Sequence, residues 1–147
     1  MGLTYTPGDL LDSGIETIAH GCSCYGAMGP GVAPRFKSKW PEMYEQYKIM
    51  CRNGRFHPGD VYVYKATDRI ILNLGTQRRT KASLPALSQA IRRASSWAVS
   101  HGIHTIGIPR IGTGLDWDRQ VEPAILSAID GLDIELLVFE QPERAAH

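Results

Sequence analysis

Two glycine-rich segments carry the chemistry-bearing pattern of this chain. One reads Gly26-Ala27-Met28-Gly29-Pro30-Gly31-Val32-Ala33, and the other Pro109-Arg110-Ile111-Gly112-Thr113-Gly114-Leu115-Asp116. Each follows a short apolar run and precedes a helical pattern. Without Cβ atoms, backbone N–H groups can turn toward a ligand, and a following helix N-terminus adds partial positive charge. Two such loops predict a clamp on one anionic ligand, and a diphosphate suits it best. Glycine spacing in the first loop is not that of a dinucleotide fingerprint, and no Gly-Lys-Ser/Thr closes it as a P-loop. A single loop of this kind more often marks a turn, so the signal lies in the pair.

Other polar residues fit less well. His20, Cys22, Cys24 and Cys51 invite a metal reading, but Cys-x-Cys is not zinc-knuckle spacing and no second pair exists, so no metal is expected. A nucleophile built from His20 with Cys22 or Cys24 is set aside, on the expectation that close neighbours on an extended strand diverge. Arg78, Arg79 and Lys81 form a basic cluster placed to touch a ligand or partner, whereas Arg92 and Arg93 read as solvated surface charge.

These segments need a scaffold. The 147 residues suffice for one domain, 1–147, with one sizeable core. Hydrophobic content of 43% and charged content of 21% are those of a soluble globular protein. A net charge of +1 gives no global attraction to nucleic acid or anionic membranes. Three cysteines make no disulfide framework, the N-terminal segment is not a signal peptide, and no apolar run is of membrane-spanning length. A cytoplasmic monomer is expected.

Strands and helices alternate. Strands are expected at Ile15–Ala19, Val61–Lys65, Arg69–Leu74, Thr105–Pro109 and Ile134–Phe139. Helices are expected at Ala33–Lys39, from Pro41 to about Cys51, at Leu84–Ser100 and at Glu122–Ile129. Ser83 is the expected N-cap of the longest helix and Gly102 its stop. Alternation implies an α/β sheet covered on both faces, and the hairpin after Lys65 makes that sheet mixed. In such sheets ligands sit beyond the carboxyl ends of strands, where both glycine loops fall.

The segments Pro7-Gly8-Asp9-Leu10, Ile18-Ala19-His20-Gly21-Cys22-Ser23, Met28 through Lys37, Pro58-Gly59-Asp60-Val61 and Ile108 through Trp117 resemble the macrodomain family. More narrowly, they are similar to its terminal ADP-ribose protein glycohydrolase branch, near the antitoxin macrodomains that reverse DNA ADP-ribosylation. The resemblance runs in order along nearly the whole chain. It implies a three-layer α/β/α macrodomain with a central mixed sheet that binds ADP-ribose and needs no cofactor.

By that resemblance, Asp9 accepts a hydrogen bond from the adenine amino group and Leu10 offers a backbone contact to the ring. Met28, Gly29, Gly31, Val32 and Ala33 cradle one side of the diphosphate, and Ile111, Gly112, Thr113, Gly114 and Leu115 the other. Ser23, Thr76 and Gln77 lie by the distal ribose, and Asp116 is catalytic. Asp9 as a turn residue and Ser23 as an ordinary loop serine are the competing assignments. For Asp116 the competitor is an N-cap of the helix near Trp117, a job Asp118 also suits. Tyr25 and Trp117 are candidate lids or walls of the pocket, and Trp97 is expected to pack on the sheet.

One position departs from the family. Characterised members of the branch carry a lysine after the strand-end threonine that attacks the anomeric carbon; here it is Gln77, and the nearest lysine is Lys81. The resemblance therefore implies direct hydrolysis of ADP-ribosyl bonds, with Asp116 orienting or deprotonating a water. The substrates implied are ester-linked ADP-ribose on Glu or Asp side chains of mono-ADP-ribosylated protein, or ADP-ribosylated nucleic acid. A non-catalytic ADP-ribose reader, or a hydrolase of small derivatives such as O-acetyl-ADP-ribose and ADP-ribose 1''-phosphate, is the alternative.

Overall fold

The computed structural model describes residues 2–26 and 33–140. In chain order these form β1 (Gly2–Pro7), β2 (Thr17–Ser23), α1 (Ala33–Lys39), α2 (Pro41–Arg52), β3 (Val61–Lys65), β4 (Ile70–Gln77), α3 (Leu84–Ser100) and β5 (Thr105–Ile108). A π-helical turn (Trp117–Val121), α4 (Glu122–Ala128) and β6 (Glu135–Glu140) follow. The six strands make one sheet in the order β1-β6-β5-β2-β4-β3. All pairings are parallel except β3 with β4, so the sheet is mixed, as the hairpin predicts.

Side-chain alternation explains the three layers. On β2, Ile18 and His20 face α1 and α2, while Ala19 faces α3. On β4, Ile71 packs with Phe36, Trp40 and Met43, whereas Leu72 and Leu74 pack with Leu87, Ala90 and Ile91 of α3. The α3 stripe Leu87, Ala90, Ile91, Ala94 and Ala98 is buried, and Ile125 and Ala128 of α4 extend that layer. Ser83 Oγ accepts the Ala86 N–H at 3.3 Å, the expected cap, and Gly102 follows the helix at φ +75°.

Three strands differ from expectation, β4 among them, which runs on to Gln77 instead of ending at Leu74. β1 is an additional edge strand, paired with β6 from Gly2↔Glu135 to Pro7↔Glu140. β2 begins and ends later than Ile15–Ala19 because its polar residues are buried by mutual contact. His20 Nε2 hydrogen-bonds Asn73 Oδ1 at 2.7 Å, and its ring stacks on Phe36 with centroids 3.9 Å apart.

Parallel pairing decides where a ligand can sit. It brings Pro7, Ser23, Gln77, Ile108 and Glu140, the last residues of five strands, to one end of the sheet. The loops leaving β1, β2, β4 and β5 therefore converge there.

Candidate functional site

The loop after β1 places Asp9. Its Oδ1 accepts the Leu11 N–H at 2.9 Å, and its Oδ2 pairs with Arg35 of α1. Desolvation pushes this carboxyl up, but the Arg35 hydrogen bond and the Leu11 N–H outweigh that and hold it below the usual carboxylate range. Asp9 is thus a turn residue and an ion-pair partner, still about a quarter exposed at 27%. Leu10 is fully buried against the sheet, close to Gly107. Arg69, which sequence reading did not single out, staples the following loop: it donates to the carbonyls of Ile15 and Leu11, each at 3.1 Å, and of Ser13.

At the ends of β2 and β4 the register shifts between Cys22 and Ser23, so that Ser23 pairs with Gln77. Ser23 is buried, its Oγ 3.4 Å from Tyr47 Oη and accepting the Tyr25 N–H at 3.3 Å. Thr76 is buried and approaches Gly21 so closely that a Cβ there would sit 2.8 Å from its Oγ1. Gln77 is buried too, and it is committed. Its Nε2 donates to the Arg79 carbonyl at 2.8 Å, and its own carbonyl accepts the Cys24 N–H at 2.8 Å. Tyr25 is 63% exposed, with the Arg79 guanidinium 4.1 Å above its ring. Met28, Gly29, Gly31 and Val32 lie outside the described residues, and of Ala33 only its place at the start of α1 is described.

The second glycine loop leaves β5 through Pro109. Gly112 and Gly114 hold φ +98° and +85°, left-handed values that suit glycine. Ile111 is buried beneath the loop, and the Leu115 N–H closes it on the Gly112 carbonyl at 2.9 Å. The loop is joined to the strand-end turn of β4 by the Ala82 N–H donating to the Thr113 carbonyl at 2.8 Å.

Asp116 follows, exposed, as the N-cap of the π-helical turn: its Oδ1 accepts the Arg119 N–H at 2.9 Å. Its own N–H donates to Gln120 Oε1 at 2.9 Å. Asp118 does not take the cap. The second carboxylate oxygen of Asp116 makes no hydrogen bond among the described residues. Behind this turn Trp117 Nε1 donates to Tyr5 Oη at 2.8 Å, and Tyr5 in turn donates to Glu122. The Arg110 guanidinium lies over both rings, 5.1 Å from Trp117 and 5.6 Å from Tyr5, and pairs with Glu140. Trp117 is therefore tied to β1, which sequence reading lacked as an element. Trp97, on α3 and half-buried, packs against the apolar cluster between α3 and the sheet and stacks on His101.

One expectation is corrected. His20 and Cys22, two residues apart on β2, share a face, and Cys22 Sγ lies 3.6 Å from His20 Nε2. Burial, not divergence, disqualifies them as a catalytic pair. Desolvation lowers the imidazole to about 4 against a raising hydrogen bond to Asn73 Oδ1, and it pushes the Cys22 thiol well above its ordinary value. Cys24 is pushed up to about 12 by desolvation and by its neighbours Cys51 and Asp60. Among the described residues, no three His, Cys, Asp or Glu side chains are grouped to hold a metal ion.

The architecture is that of a three-layer α/β/α domain whose exit loops gather at the carboxyl ends of parallel strands. A family model described as Macro domain matches residues 19–120, and the chain belongs to that family. It is 29% identical over 154 residues to a Mycobacterium tuberculosis protein named DNA ADP-ribosyl glycohydrolase, covering 93% of this chain and 42% of that protein. The chain thus spans less than half of that relative's length. It is 30% identical over 143 residues to human ADP-ribose glycohydrolase OARD1, covering 93% of this chain and 90% of that one. Among solved structures, the macrodomain of Mycobacterium tuberculosis DarG superposes with a TM-score of 0.83 at 28% identity, covering 95% of this chain and 98% of that one.

Proposed function

We propose that this chain acts as one macrodomain that binds ADP-ribose and hydrolyses it from modified macromolecules, with ester-linked ADP-ribose on Glu or Asp side chains of proteins as the main substrate. The observation that carries this reading is the position of Asp116. It is an exposed carboxylate at the exit of the second glycine loop, on the sheet end that also bears Asp9. Family membership and the names of both relatives support it.

In this reading Asp9 takes the adenine amino group, Gly112 to Leu115 line the diphosphate, and the distal ribose faces Asp116. One carboxylate oxygen holds the Arg119 N–H, which fixes the side chain, and the other is left to take a proton from water. That water attacks the anomeric carbon, and the bond from that carbon to the ester oxygen breaks. The protein carboxylate leaves as an anion and ADP-ribose is released with a new hydroxyl. A carboxylate is a good leaving group, so this bond needs no side-chain nucleophile. Gln77, turned to the Arg79 carbonyl, supplies none.

The same Gln77 favours a second reading, a non-catalytic reader of ADP-ribose. Incubation with a Glu-linked mono-ADP-ribosylated protein separates the two: the hydrolase reading expects free ADP-ribose, whereas tight ADP-ribose binding without release from any linkage selects the reader. The three cysteines are free, which supports a cytoplasmic placing, and the reading takes the unit as a monomer. Among the described residues, no helix is long and apolar enough to cross a membrane.

A further inference from the structure

The turn between β4 and α3 carries three exposed cations, Arg78, Arg79 and Lys81. Arg79 is occupied by the Tyr25 ring, and Arg78 acts electrostatically on Cys24. Lys81 instead meets the second glycine loop. Its Cγ and Cδ lie where a Cβ on Gly114 would meet them at 2.8 and 3.5 Å, so its stem rests directly on the second glycine loop. The backbone fixes that placement. The Ala82 N–H donates to the Thr113 carbonyl and the Ser83 N–H to the Thr76 carbonyl, each at 2.8 Å, while Gln77 and Ala82 form an antiparallel bridge. Lys81 takes part in none of the ion pairs found among the described residues.

We infer that Lys81 is a ligand-binding residue whose ammonium contacts the diphosphate of ADP-ribose held on the second glycine loop. The inference rests on the proposed ADP-ribose site. Gly114 admits the lysine stem because it has no side chain, and the stem carries the charge along the loop's exposed side. Residue 77 is uncharged and turned inward, so Lys81 is the cation of this rim that lies on the glycine loop. Lysine suits the task as a compact point charge with three donors on a flexible stem.

The test is calorimetric titration of wild type, Lys81→Met and Lys81→Arg with ADP-ribose and with uncharged adenosine, at low and high salt. An exposed charge contact predicts that Lys81→Met weakens ADP-ribose binding about fivefold at low salt, with the gap closing as salt rises. Lys81→Arg keeps the charge and should stay within about twofold of wild type, and adenosine, which carries no diphosphate, should bind all three proteins equally. Lys81→Met binding ADP-ribose as tightly as wild type at low salt overturns the assignment. So does an equal loss for adenosine, which would mark a purely structural role. A wild-type protein that binds no ADP-ribose overturns the proposed function along with it, a result distinct from either.

Discussion

Asp116 caps the π-helical turn through Arg119: its Oδ1 accepts that residue's N–H at 2.9 Å. The side chain proposed to do chemistry is also part of the scaffold, so the two jobs must be separated experimentally. Asn caps as well as Asp, whereas Ala does not. Asp116→Ala should lose about 1 kcal/mol of stability in urea unfolding and Asp116→Asn almost nothing. Equal midpoints for the two variants would mean that the cap contributes no stability.

Gln77 shapes the β4 exit through its bond to the Arg79 carbonyl. Gln77→Lys removes that bond and buries an ammonium, so it should cost about 2–3 kcal/mol and lower the melting temperature by several degrees. A Gln77→Lys protein as stable as wild type and faster in turnover would show that the turn opens to let a lysine reach the site.

His20 makes stability depend on acid. Its folded value of about 4 lies below the ordinary 6.5, so it stays neutral in the fold while the unfolded chain takes up a proton. Stability is complete above pH 6.5 and falls as pH drops from there toward 4, by up to about 3 kcal/mol in all. Urea midpoints measured across this window should fall for wild type, and the fall should be smaller in His20→Gln. Identical pH profiles for the two proteins would remove His20 as the cause.

Asp9 is proposed to read the adenine amino group. The hypoxanthine analogue of ADP-ribose lacks that donor, so it should bind about tenfold more weakly, and Asp9→Ala should erase the preference. If wild type binds both ligands equally, adenine is read elsewhere.

The helices were legible because their signals are local. Ser83 caps α3 and a buried stripe at helical spacing follows it. The end of β2 was not, since the apolar run stops at Ala19 and the strand continues through His20 and Cys22 to Ser23 only by contact with Asn73, Phe36 and Tyr47. β1 escaped notice because its residues are only partly covered and its partner, β6, is far away in the sequence. Within the candidate site, the glycine loops could be picked out by residue type and spacing, whereas Asp9 and Asp116 were singled out through the family resemblance. The contacts that hold them could not be picked out: Arg35 on Asp9 and Lys81 on Gly114 arise from how separate segments fold together, and Gln120 meets the Asp116 N–H only once the π-helical turn has formed.

Whether the Asp116 carboxylate performs the chemistry is decided by Asp116→Asn, because asparagine keeps the cap. With a Glu-linked mono-ADP-ribosylated protein as substrate, release of ADP-ribose should fall by at least about 100-fold, while ADP-ribose affinity and melting temperature stay near wild type. Release at the wild-type rate by Asp116→Asn would contradict that role.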